Sequence, residues 1–138
     1  MLNIIDASIV EIFGCVYPLS LPKFTRLKSI ILFHCTKLSC LDNIADAEIV
    51  DLTECLLLTY LPNFTRLCEI KLQHCIWLET AEIEKITNAT KVDLTNCASI
   101  TKLPINAKFM EINLTYCNKL TDEYVYSLYP NVKIIRFQ

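Results

Sequence analysis

Glycine is almost missing from this chain: Gly14 is the one glycine in 138 residues. Phosphate-cradling loops and nucleophile elbows are built on glycine, because backbone must approach a ligand closely or turn through positive φ there. Most enzyme templates are therefore disfavoured. Charge of one sign is missing too, with 13 Lys and Arg against 15 Asp and Glu. Nucleic acid and anionic membranes call for a basic patch, and none is present, so neither is expected as a partner. No apolar run approaches the roughly 20 residues that a spanning helix needs, and Met1 to Val10 carries Asp6 and lacks a basic start. The expected location is accordingly cytoplasmic. What the chain has instead is apolar residues, 53% of the total, and eight cysteines. That is enough for one packed domain, read here as spanning residues 1–138.

The cysteines reveal a repeat. Cys15, Cys35, Cys55, Cys75, Cys97 and Cys117 follow one another at steps of 20, 20, 20, 22 and 20 residues, and only Cys40 and Cys68 lie off this ladder. Aligned on it, the preceding residues share the pattern ΦxxΦxΦxxC, where Φ is apolar: ASIVEIFGC from Ala7, LKSIILFHC from Leu27, AEIVDLTEC from Ala47, LCEIKLQHC from Leu67, ATKVDLTNC from Ala89 and FMEINLTYC from Phe109. A seventh unit, VKIIRF from Val132, lacks the cysteine. The segments LPKFTRL at Leu21 and LPNFTRL at Leu61 repeat with an offset of 40, as if a two-repeat block had been duplicated. A fixed period in this range overrides element-by-element reading, because each unit buries its apolar face only against its neighbours.

In this pattern the chain resembles the leucine-rich repeat proteins, in their cysteine-containing variants with the pattern LxxLxLxxCxxLxxLP. ATKVDLTNCASITKLP (Ala89 to Pro104) and FTRLKSIILFHCTKLSCL (Phe24 to Leu41) are similar to repeats of plant disease-resistance receptors, and NLTYCNKLTDEYVYSL (Asn113 to Leu128) to the F-box-associated type. The resemblance implies an α/β leucine-rich repeat solenoid, a right-handed curved superhelix with a parallel sheet on its concave face and irregular or short-helical convex returns. It also implies recognition of another protein, as an adaptor, a ubiquitin-ligase substrate-recognition unit or, by analogy alone, an effector delivered into host cells. The F-box, nucleotide-binding and signalling domains that accompany such repeats have no counterpart in these residues.

The apolar pair of each unit alternates with variable residues, which is the period-two signature of a strand with one buried face. Seven short parallel strands are expected, with Val10 and Ile12, Ile30 and Leu32, Val50 and Leu52, Ile70 and Leu72, Val92 and Leu94, Ile112 and Leu114, and Ile135 and Phe137 facing the core. Prolines in Leu21-Pro22, Leu61-Pro62 and Leu103-Pro104 forbid long helices in those returns. Glu79 to Asn88 and Thr121 to Leu128 read as short helices, the second opening on Thr121 as N-cap. Residues 121–138 form a C-terminal helix-and-strand cap, whereas Met1 to Asp6 caps the other end poorly.

The residues between the buried pairs must project from the other face of the sheet. They run Ile9, Glu11, Phe13; Ser29, Ile31, Phe33; Ile49, Asp51, Thr53; Glu69, Lys71, Gln73; Lys91, Asp93, Thr95; and Glu111, Asn113, Thr115. Ile9, Phe13, Ile31, Phe33 and Ile49 make an apolar cluster, with Glu11, Asp51, Glu69, Lys71, Lys91 and Asp93 as a polar rim, and clusters of this kind mark interfaces. The expected function is non-enzymatic binding of a partner protein through this face. The alternatives are a homodimer formed through the apolar N-terminal units, and intramolecular cover by Met1 to Ile5.

No cofactor or metal is expected. Zinc needs ligands converging on a point, and the ladder places one cysteine per unit in a row. The ladder cysteines read as small buried thiols donating weakly to backbone, free and suited to a reducing compartment. His34-Cys35 and His74-Cys75 hint at a nucleophile, but adjacent strand residues point to opposite faces, so neither histidine is placed to activate its own cysteine. Cys40 and Cys68 are expected to be the accessible thiols. The sequons at Asn63, Asn88 and Asn113 fit chance occurrence in a chain read as unexported.

Overall fold

The structure, a computed structural model, describes residues 4–39 and 41–137. Its centre is a seven-stranded parallel sheet, formed by β1 (Ile9–Phe13), β3 (Ser29–Phe33), β5 (Ile49–Asp51), β6 (Glu69–Lys71), β7 (Lys91–Asp93), β8 (Glu111–Asn113) and β9 (Lys133–Ile135) in that spatial order. Strand neighbours are thus repeat neighbours. The register follows the period, pairing Val10 with Ile30, Ile30 with Val50, Val50 with Ile70, Ile70 with Val92 and Val92 with Ile112. These residues form one buried row, and Leu32, Leu52, Leu72, Leu94 and Leu114 form the next, each with no exposed surface. β-Branched residues dominate the first row because they pack well on a pleated surface. The residues three after the second to sixth ladder cysteines turn back into the same core: Leu58, Leu78, Ile100 and Leu120 are buried, and Leu38 packs against them.

The returns differ among repeats. Leu19–Ser20 (β2) and Leu38–Ser39 (β4) pair in a small second parallel sheet, and a 3₁₀ turn covers Leu41–Ile44. None of these three was foreseen in the sequence. The helix expected at Glu79 to Asn88 is a single α-helical turn, α1 (Thr80–Ile83), continued by a 3₁₀ turn over Glu84–Ile86. Helix α2 (Asp122–Leu128) is capped by Thr121, whose Oγ1 accepts from the Tyr124 N–H at 3.2 Å. At the Leu-Pro segments the main chain cannot pair in a ladder, and side chains from the next repeat supply its partners. Asn43 donates to Leu21 O at 2.7 Å. Leu61 is clamped on both sides, its N–H donating to Glu82 Oε2 (2.9 Å) and its carbonyl accepting from Lys85 Nζ (2.8 Å). Leu103 N–H donates to the Tyr124 hydroxyl at 3.0 Å.

The last strand departs from the expected phase. Lys133 lies opposite Glu111 and Ile134 opposite Ile112, so Ile134 and not Ile135 continues the buried row. Phe137 is exposed rather than a core residue. The slip by one residue exchanges the faces of the whole strand. Its cause is Arg136, which takes the place equivalent to Leu114 and donates to the carbonyls of Leu114 (2.9 Å), Cys117 (3.4 Å) and Leu120 while pairing with Asp122 at 2.7 Å. A guanidinium has five donors, and here it adds second hydrogen bonds to the Leu114 and Cys117 carbonyls, which already accept from the N–H groups of Cys117 and Leu120, and reaches the Leu120 carbonyl as well.

Candidate binding face

Each of the first six units leaves its strand through a left-handed residue. Gly14, His34, Glu54, His74, Asn96 and Tyr116 all have φ between 54° and 67°, and each immediately precedes its ladder cysteine. The turn aims the next side chain inward. Cys55, Cys75, Cys97 and Cys117 are buried and donate to the carbonyls of Leu32 (2.9 Å), Leu52 (3.3 Å), Leu72 (2.9 Å) and Leu94 (2.9 Å), each in the preceding repeat. Cys35 is buried and reaches Ile12 O at 3.7 Å, and Cys15 at the end of the row is half-buried. Desolvation pushes the Cys55 and Cys75 thiols up to about 12, with the charge of Asp51 adding to it. Burial raises Cys35, Cys97 and Cys117 as well. A thiol held neutral in this way is a poor nucleophile and metal ligand.

Neither histidine faces its own cysteine. His34 Nδ1 lies 3.3 Å from Glu54 Oε2 and His74 Nδ1 lies 3.1 Å from Asn96 Nδ2, both pairs joining left-handed residues of consecutive repeats. Among the described residues no group of three or more His, Cys, Asp or Glu is arranged to hold a metal. Cys68 is exposed, and Cys40 lies outside the described residues. No helix among the described residues is long and apolar enough to cross a membrane.

On the open face of the sheet, Ile9 and Phe13 are each 63% exposed and Ile49 is 44% exposed, with Ile31 and Phe33 half-buried between them. Parallel pairing places Ile9, Ser29 and Ile49 in one row, Glu11, Ile31 and Asp51 in the next, and Phe13 beside Phe33. The two phenyl rings lie 6.2 Å apart, tilted by 45°, within the range of a favourable aromatic pair. Ile4, in the segment considered as an intramolecular cover, instead packs against the core, and Met1 to Asn3 lie outside the described residues.

The polar half of the face follows the same rows. Glu69, Lys91, Glu111 and Lys133 alternate in sign along one row, and Asp51, Lys71 and Asp93 along the next. Glu69, Lys71, Lys91, Asp93 and Glu111 border a shallow depression of about 290 Å³. Lys71 and Lys91 are exposed, whereas Asp51 and Asp93 are half-buried and turned back on their own strands. Asp51 Oδ1 accepts from Thr53 N–H at 2.9 Å. Asp93 Oδ1 accepts from Thr95 N–H (2.9 Å) and Thr95 Oγ1 (2.6 Å), and Asn113 repeats both bonds with Thr115. Beside these Asx turns, Thr53 and Thr115 are buried and Thr95 is half-buried, rather than projecting freely from the face as their phase suggested. The signal was present as Asp/Asn-Leu-Thr at Asp51, Asp93 and Asn113.

A second apolar surface was not foreseen. The two residues after the ladder cysteine are apolar and exposed in three repeats: Val16 with Tyr17, Leu56 with Leu57, and Ile76 with Trp77, the last 60% exposed. At the same places stand Thr36 with Lys37, Ala98 with Ser99 and Asn118 with Lys119. Comparing those pairs across repeats would have separated the two kinds. No protein-family model, no curated protein and no solved structure matches the chain.

Proposed function

We propose that the chain is a solenoid of the leucine-rich repeat type whose concave sheet face binds a partner protein without catalysis. The observation that carries the reading is the contiguous apolar cluster of Ile9, Phe13, Ile31, Phe33 and Ile49 on three adjacent strands, flanked by charged side chains. Large apolar groups at open positions are costly unless covered, and a paired aromatic surrounded by charge is the composition of an interface centre with its rim. The sheet beneath is fixed by its buried rows, so binding would order little more than side chains, and a modest anchor gives useful affinity. Buried thiols held neutral are poor nucleophiles, which fits a role outside catalysis. The free thiols support a reducing, cytoplasmic setting.

The test is affinity capture from a lysate of the source organism, comparing the wild type with a Phe13→Glu/Phe33→Glu variant shown by circular dichroism to be folded. Proteins recovered by the wild type alone are expected. Identical captures from both would refute this face, and a wild type that sediments as a dimer while the variant is monomeric would replace the foreign partner with a second copy.

A further inference from the structure

The apolar cluster ends on a strand edge. β1 is the first strand of the sheet and has a neighbour, β3, on one side only. Ser8 O accepts from the N–H groups of Lys28 and Ser29, and Gly14 N–H donates to Phe33 O, so the even-numbered residues turn their backbone toward β3. In a strand the next residues turn theirs the opposite way. The N–H and C=O groups of Ile9, Glu11 and Phe13 therefore point outward, where no described strand lies. The described residues before β1 do not cover them. Thr25 N–H donates to Ile5 O and Arg26 to Asp6 O, so residues 4–8 run alongside residues 24–28. A five-residue edge of this kind is a template for strand addition, with backbone bonds supplying affinity and alternate side chains supplying specificity.

The side chains state what the added strand must carry. Along the open face β1 reads apolar, acidic, apolar: Ile9 and Phe13 are exposed on either side of Glu11, which is exposed and has no ion pair among the described residues. Residues directly opposite on neighbouring strands interact, favourably when apolar faces apolar and opposite charges meet, unfavourably when like charges meet. The complement is apolar, basic, apolar, in either strand direction because the pattern is symmetric. A second copy does not provide it. β1 laid antiparallel on β1 and centred on this pattern puts Glu11 against Glu11, and β9 continuing the sheet brings Ile135 opposite Glu11 and Lys133 opposite Ile9.

Resting on the binding role proposed above, we infer that β1 recruits its partner by strand addition, taking an extended segment with alternating apolar, Lys or Arg, and apolar side chains. The probe is a peptide of alternating threonines with isoleucine, lysine and isoleucine between them, at millimolar concentration, against the same peptide with glutamate for lysine. Amide exchange by NMR is the readout. The lysine peptide should slow exchange at Ile9, Glu11 and Phe13 by about ten-fold and leave buried β6 amides unchanged, and the glutamate peptide should bind about five-fold more weakly. Glu11→Lys, a change at an exposed side chain that preserves the fold, should reverse the preference. Equal effects from both peptides, or none from either, would overturn the inference. Protection of the same amides in the free protein, rising with its concentration, would also overturn it and assign the edge to a second copy. A capture lost in Phe13→Glu/Phe33→Glu, together with a lysine peptide that protects none of the β1 amides, refutes strand addition while leaving the face reading intact.

Discussion

The buried thiols should make this fold break at alkaline pH. Cys55 and Cys75 titrate near 12 in the folded chain against an ordinary value of 9.0, and burial raises Cys97 in the same direction. A group whose folded pKa is raised contributes stability that is fully present below its unfolded pKa and is lost as pH climbs toward the folded value. The loss therefore runs from pH 9 to about 12. Each such thiol costs about 1.4 kcal/mol per pH unit in that window, so three together cost about 4 kcal/mol per unit and about 8 kcal/mol by about pH 11. A domain of this size holds only about 5–15 kcal/mol in all. In a variant with Cys15, Cys40 and Cys68 replaced by serine, the expected outcome is one cooperative transition near pH 11, in which far-ultraviolet dichroism and the thiolate absorbance change together with a steepness of about three protons. Cys75→Ala should reduce that steepness by about one proton. In that background, thiolate absorbance that rises gradually from pH 9 while the dichroism stays intact would refute the reasoning.

Three further outcomes follow from single contacts. Arg136→Met should destabilise the chain by about 1–2 kcal/mol in urea unfolding, since it removes the side-chain hydrogen bonds to the carbonyls of Leu114, Cys117 and Leu120, while the lost pair with exposed Asp122 adds little; an unchanged midpoint would refute the capping role. Burial alone would raise the Glu82 carboxyl, but hydrogen bonds from Lys85 and Leu61 N–H outweigh it and hold the group below 4.5. Its contribution is thus present above 4.5 and lost as pH falls below that, and Glu82→Gln should flatten the acid limb of stability against pH. Gly14 sits at φ +67° with open space around it, so Gly14→Ala should cost about 1 kcal/mol through backbone strain and Gly14→Asn markedly less, read as shifts in thermal midpoint.

The cysteine period made the sheet order and the register of six strands legible, because a repeat that buries its face only against identical neighbours leaves a single consistent stacking. The seventh strand was ambiguous for a local reason. Ile134 and Ile135 are adjacent apolar residues, so alternation allows two phases, and Arg136 settles the matter through carbonyls that no apolar pattern encodes. The left-handed residue before each cysteine was similarly hidden, since Glu54 and Tyr116 do not announce positive φ as Gly14, Asn96 and, more weakly, His34 and His74 do. At the candidate face, the phase of Ile9, Phe13, Ile31, Phe33 and Ile49 was readable from the template, but the burial of Thr53 and Thr115 at positions of the open face is not encoded in apolar alternation. The exposed Leu57 and Trp77 escaped because apolar residues beside a buried cysteine look like core until burial is known.

The most direct test of the proposed binding face is photocrosslinking with benzoylphenylalanine at position 13, compared with the same group at position 77 on the other exposed apolar surface. The account predicts a crosslink to one partner protein from position 13, competed by the unlabelled wild type, and none to that protein from position 77. A crosslink from position 77 alone, or crosslinks from position 13 only between two copies of the chain, would contradict it.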